Sequence, residues 1–237
     1  MTLPRRRVLY WVLAGIAGAV LIGGLFLTFG LDRLAHRTIE SAVRDALGAP
    51  VDIRKVRVRL KGKAEIDHAR VGNPGGFLEP LALEVAALDA FLDPGSLFGS
   101  EIRIHDMVVL RPTFTVVFQE GRSNVAVLVE RLLDAIPADA PWFRIERLRV
   151  REAVVRFRSA EITGGETVFR LPDLELRNFG DAPGTASTAN LLMALFLQVL
   201  AGGAMEQEEV AFPGGLRKSF GDELQRSSAA IHAAGRR

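Results

Sequence analysis

The strongest constraint on this 237-residue chain is a pattern that occurs twice. Ile102, Ile104, Met107, Val109, Pro112, Phe114 and Val116 lie at offsets 0, 2, 5, 7, 10, 12 and 14, and Phe143, Ile145, Leu148, Val150, Ala153, Val155 and Phe157 lie at the same offsets. A period of two places alternate side chains on one face of a strand. The step of three between runs is a phase slip, of the kind a β-bulge produces, and it returns the apolar residues to the face they left. The first half of the pattern recurs at Val51, Ile53, Val56 and Val58, and a weaker echo at Leu171, Leu174 and Leu176. Repetition of this kind predicts a long antiparallel, curved β-meander that keeps one apolar face along its length and is groove-like in shape.

The segments between these runs mark the boundaries of the strands. Lys61-Gly62-Lys63 reads as a turn, Asn73-Pro74-Gly75-Gly76 as a loop, and Leu81 to Leu92 as a strand with one phase shift, ended by Pro94-Gly95. A helix is expected from Asn124 to Ile136, capped by Ser123 or Asn124 and apolar along Val125, Leu128, Leu132 and Leu133. A second is expected over residues 188–201, too short to span a bilayer comfortably, followed by a partly flexible tail after Ala204.

Upstream of the strands, Arg5, Arg6 and Arg7 precede an uncharged run from Val8 to Leu31, with Tyr10 and Trp11 near its start. About 20 apolar residues cross a hydrocarbon core, so this run predicts an uncleaved transmembrane helix. The arginines place the N-terminus in the cytoplasm, and a Gram-negative cell would then carry the rest in its periplasm, held to the inner membrane by a single pass. Gly15, Ala19 and Gly23 fall four apart, a stripe of small residues of the kind that pairs transmembrane helices. Residues 31–47 follow as an amphipathic helix stopped by Gly48. The expected fold class is α+β. Its organisation is an anchor at 1–31, a β-rich domain at 32–180, and a C-terminal helix with its tail at 181–237.

Composition narrows the chemistry. The chain has no cysteine, which removes disulfides, thiolate metal sites and cysteine nucleophiles. A formal charge of +2 does not suit a nucleic-acid binder, and no nucleic-acid partner is expected. His36, His68, His105 and His232 are scattered without metal-ligand spacing. His68 beside Asp67 and His105 beside Asp106 should point to opposite strand faces, so neither pair is expected to chelate. Gly72 to Gly76 lacks a Walker lysine, and Ser96 and Ser100 lack a nucleophile elbow. No catalytic residue, metal or cofactor is expected, and the chain does not read as an enzyme. Arg54, Arg57 and Arg59, with Arg147, Arg149, Arg151, Arg156 and Arg158, occupy the polar phase of their strands. They read as a solvated sheet face diluted by Glu146 and Glu152.

Several motifs in a fixed order carry a family resemblance. The membrane run leads to Leu-Gly-Ala-Pro-Val-Asp-Ile at 47–53, Gly-Asn-Pro-Gly-Gly-Phe at 72–77 and Ser96-Leu97-Phe98-Gly99. Then come the strand at Ile102 to Ile104, Arg111-Pro112 and the helix at Asn124. Over roughly residues 8–180 the chain resembles the N-terminal region of AsmA-like proteins, relatives of the bridge-like lipid-transfer proteins with chorein-type N-termini. The resemblance implies an inner-membrane anchored periplasmic protein with an apolar groove, tied to outer-membrane and lipid homeostasis, in a short member that offers one groove segment.

The expected function is the non-enzymatic binding of lipid acyl chains, with membrane lipids as partners. The groove would be lined by Ile102, Ile104, Met107, Val109, Phe114, Val116, Phe143, Ile145, Leu148, Val150, Val155 and Phe157. The alternative is a membrane-tethered scaffold that binds an envelope protein partner. Which applies turns on whether the helices leave this face open or cover it.

Overall fold

The computed structural model describes residues 44–59, 61–77, 79–98, 100–136, 142–160, 162, 165–179, 189–205 and 214–234. The expected anchor, its Gly15, Ala19 and Gly23 stripe, and most of the 31–47 helix lie outside these residues. No helix among the described residues is long and apolar enough to cross a membrane.

The architecture is α+β, a curved open sheet with helices on one face. Its strands are β1 (Val51–Val58), β2 (Lys63–Gly72), β3 (Leu81–Leu92), β4 (Glu101–Gln119), the two-residue β5 (Arg122–Ser123), β6 (Trp142–Arg151), β7 (Val154–Ser159), β8 (Glu166–Arg170) and β9 (Leu174–Phe179). The helices are α1 (Asn124–Asp134), α2 (Ala189–Met205) and α3 (Gly214–Ala234). A helical end at residues 44–47 leads into β1, closed by Gly48 at φ +57°, a conformation glycine adopts at little cost. The order across the sheet is β1-β2-β3-β4-β6-β9, with β7 continuing β6 alongside β4 and β8 pairing β7.

The expectation of an antiparallel meander is corrected at the centre of the sheet. There, β4 runs parallel to both β6 and β7. The two copies of the repeat lie side by side in register: Ile102 against Phe143, Ile104 against Ile145, Met107 against Leu148, Val109 against Val150, Phe114 against Val155 and Val116 against Phe157. Equal spacing in the two copies is what parallel neighbours require if their slips are to coincide. Parallel strands need a long crossover, and α1 supplies it. After β4 the chain turns at Glu120 and Gly121, both at positive φ as in a type I′ hairpin, and pairs back through β5. Ser123 then caps α1, its hydroxyl accepting from Ala126 N at 3.2 Å.

The phase slips line up across the sheet. The ladders skip Arg54 opposite His68, His68 opposite Ala86, and Ala86 opposite Arg111, and the next break falls at Arg111-Pro112 beside Glu152-Ala153. His68, Arg111 and Glu152 adopt φ of 56°, 48° and 53° there. Pro112, which has no N–H to donate, falls where the ladder with β6 and β7 is already broken, and this explains a proline in a central strand. A second line runs through His105-Asp106, Glu146-Arg147 and Asn178, the last at φ 50°. Each slip moves two successive residues onto the outer face. Asp67 and His68 therefore do not point to opposite faces, nor do His105 and Asp106: all four make polar contacts on the outer face.

The C-terminal region also departs from expectation. Where a partly flexible tail was read after Ala204, residues 214–234 form the 21-residue α3, and Leu216, Phe220, Leu224 and Ile231 are buried in the same core as the sheet. Serines, charges and glycines in this stretch dilute its apolar period, yet a residue every three or four positions is enough to seat a helix on a preformed surface. α2 is apolar on nearly every side, as suits a helix flanked by others, and it packs against both α1 and α3.

Candidate apolar pocket

Among the described residues, the helices cover only part of the sheet. Over β7, β8 and the second half of β4, Phe114, Val116, Val155 and Phe157 are fully buried, and Phe157 meets Phe220 of α3 edge-on, centroids 4.8 Å apart at 78°. Over β1, β2, β3, the first half of β4, β6 and β9, the same apolar face lines a half-open pocket of about 260 Å³. Its roof is one turn of α2, with Leu192, Met193 and Phe196 facing the strands.

The proposed groove residues thus divide into two groups. Ile104, Met107, Val109, Phe143, Ile145 and Leu148 line the pocket. Phe114, Val116, Val150, Val155 and Phe157 are buried core outside its lining, and Ile102 is partly buried against that core. The pocket also draws on residues absent from the proposed set. Val51 and Ile53 come from β1, Ile66, Ala69 and Val71 from β2, Leu83, Val85 and Leu88 from β3, and Phe179 from β9. Their alternation is visible in the sequence, and pairing each strand with its neighbour was the step needed to include them. The α2 contribution had no such signal, because an apolar helix does not announce which strand it crosses.

Every described residue lining this pocket is apolar. These side chains supply no nucleophile, acid or base; what they do together is exclude water from hydrocarbon. The pocket spans the sheet from edge strand β1 to edge strand β9, six strand positions wide, or roughly 24 Å at about 4.8 Å per strand.

Polar side chains are organised elsewhere. Two asparagines from the family-like motifs meet: Asn124 Nδ2 donates to Asn73 Oδ1 at 2.6 Å and to Thr115 O at 2.8 Å, and Asn124 Oδ1 accepts from Val117 N at 2.9 Å. Asn73 Nδ2 in turn donates to Glu79 O at 2.8 Å. The 72–77 loop, the end of β4 and the start of α1 are fastened together by this buried cluster, so the glycine-rich loop is an architectural clamp. Glu223 of α3, itself buried, adds to it by accepting from Ser123 N at 3.1 Å. Ser96 fixes the turn after β3, donating to Asp93 O and accepting from Arg103 N.

On the outer face the arginines form cross-strand ion pairs. Arg57 bridges Glu65 at 3.0 Å and Asp67 at 2.7 Å, Arg70 pairs with Glu84 at 3.0 Å, Arg149 with Asp106, and Arg158 with both Glu79 and Glu166. The Lys63 ammonium, hydrogen-bonded to Glu65, holds that carboxyl below the usual glutamate range, with Arg57 and Arg59 adding to the effect. The Arg158 guanidinium is pushed up by its hydrogen bond to Glu166 and secondarily by Glu79. A face so largely self-neutralised has little net attraction for an anionic surface.

No protein-family model, no curated protein and no solved structure matches this chain.

Proposed function

We propose that this protein is a non-enzymatic component of a bacterial envelope, anchored in the inner membrane by residues 8–31, that holds lipid acyl chains in the apolar pocket and serves lipid handling or outer-membrane biogenesis. The observation that carries the reading is the pocket itself: a half-open cavity of about 260 Å³, walled by apolar side chains from six strands and roofed by α2. Apolar side chains facing one half-open cavity offer a hydrocarbon chain a water-poor site and present it with no polar partner. The AsmA-like resemblance supports the same reading, and the anchor would keep the pocket within reach of a bilayer. In this account the sheet is a short groove segment with its strands crossing the groove axis.

Purification of the full chain followed by lipid mass spectrometry tests the proposal. The expected result is an acyl lipid retained in near-stoichiometric amount and lost in a variant that fills the pocket, such as Ala69→Phe. A full chain that folds normally and retains no lipid under any extraction condition sinks it.

A further inference from the structure

The outer face is not neutralised evenly. Most of its arginines hold a carboxylate, as Arg57, Arg70, Arg149 and Arg158 do. Among the described residues, four strand cations hold none: the side chains of Arg54, Lys55, Arg111 and Arg151 make no hydrogen bond or ion pair. All four lie on the line where the slips coincide. There each strand turns two successive residues outward: Arg54 and Lys55 on β1, Ala86 and Ala87 on β3, Leu110 and Arg111 on β4, Arg151 and Glu152 on β6. The alanines leave a low floor, and on its β1 side Arg54, Lys55, Asp67, His68 and Ala86 line a depression. Arg111 and Arg151 stand beyond it on adjacent strands, three strand steps or more from β1, roughly 14 Å at about 4.8 Å per strand.

The acids of this region do little to offset the four. Asp67 is held by Arg57 at 2.7 Å, and Glu84 by Arg70 at 3.0 Å. Among the described residues, Glu152 is the one free carboxylate on the line itself, with Asp52 and Asp89 two residues off it. Like charges side by side in a sheet are mildly destabilising unless an anion joins them. A flat anionic surface would cover the whole self-neutralised face and meet its carboxylates as well; a narrow linear anion meets only the line. Arginine suits phosphate, whose oxygens it binds in pairs.

We propose that this line is a binding site for an extended, soluble polyanion of the phosphate class. One phosphate group sits on Arg54 and Lys55, and another on Arg111 and Arg151. The site is independent of the apolar pocket on the opposite face.

Isothermal titration calorimetry tests it, on the full chain in a neutral maltoside detergent at low salt. Tripolyphosphate, which is too short to join the two cation pairs, is compared with a polyphosphate long enough to do so. The longer anion should bind roughly a hundredfold tighter, because its second contact is made within one complex. The double variants Arg54→Gln/Lys55→Gln and Arg111→Gln/Arg151→Gln should each bring it to within about threefold of tripolyphosphate. All four side chains are exposed, so folding is not at risk. Lys61→Gln, which neutralises an exposed cation beside Gly62 and off the line, should cost less than about twofold. A Lys61→Gln loss as large as that of the line variants shows attraction to charge in general and overturns the site. Equal binding of the two anions, or binding of neither, overturns it too. None of these outcomes bears on the acyl-binding reading, since neither anion carries hydrocarbon.

Discussion

The two halves of the sheet share β4 and the same repeating pattern, yet they end differently. Along β4, Phe114 and Val116 are sealed beneath helices, while Met107 and Val109, one slip earlier, line the pocket. Along its parallel neighbour, Phe157 is sealed and Ile145 and Leu148 line the pocket. The packed half meets Phe220 and Leu216 of α3 and the buried side of α2, and it carries Phe114, Phe157 and Phe169, whose rings fill the space between layers. The open half carries mostly valine, isoleucine, leucine and alanine under a single turn of α2. A repeat dictates which face is apolar; the size of its side chains and the position of the covering helices decide whether that face becomes a core or a cavity.

If this contrast is right, truncations should cost most in the packed half. Phe157→Ala removes a ring that touches Phe220 and leaves an enclosed void, so a loss of about 3–5 kcal/mol is expected by urea unfolding. A cost under about 1 kcal/mol would mean that the two layers are not in register as described. Asn124→Ala comes next. It leaves Val117 N, Thr115 O and Asn73 Oδ1 without their buried partner, at roughly 1–3 kcal/mol per stranded group and partly relieved by water, so a total of about 2–4 kcal/mol is expected. Its signature is local: hydrogen exchange should speed up in the 72–77 loop and the first turn of α1 before the β1–β2 hairpin responds.

Ile145→Ala sharpens the comparison from the other side. Ile145 is as buried as many packed residues, at 3% exposure, but the space vacated joins an existing pocket instead of creating a sealed void. The transfer cost remains and the cavity penalty largely disappears, giving a loss near the low end of such truncations, about 2 kcal/mol. The same variant should admit a longer or bulkier chain. Equal costs for Ile145→Ala and Phe157→Ala, after allowance for size, would erase the distinction between the halves.

How much of this was legible in the sequence follows from the same residues. The apolar face was readable because period two and the slips constrain Ile102 to Val116 and Phe143 to Phe157 residue by residue. Their parallel pairing was not, because identical spacing fits consecutive hairpins as well as neighbours joined by a crossover. The helix at Asn124 between the two copies was the available hint. The pocket's division from the core depended on α3, whose Leu216, Phe220, Leu224 and Ile231 are too widely spaced among polar residues to stand out as a helix in isolation. The shared outer face of Asp67 with His68, and of His105 with Asp106, was missed for a simpler reason: strict alternation was assumed at the positions where it fails.

The smallest expected effect concerns the outer face, which should not distinguish the halves at all. Glu65 lies behind the open half and Glu166 behind the packed half, and each binds arginines across strands. Such partly exposed pairs are worth about 0–1 kcal/mol, so Glu65→Gln and Glu166→Gln should each cost less than about 1 kcal/mol at pH 7, and similar amounts. For Glu65 the pH dependence has a definite sign. Its carboxyl titrates below the ordinary glutamate value of about 4.3 because Lys63 and the arginines favour the charged form. Its contribution is therefore fully present above that value and is lost as pH falls through the lower, folded-state pKa. The gap in urea midpoint between the parent chain and Glu65→Gln should be widest near neutrality and close on acidification. A gap that persists at pH 2 would show that Glu65 acts through packing, and that the outer face, like the inner one, differs from one half of the sheet to the other.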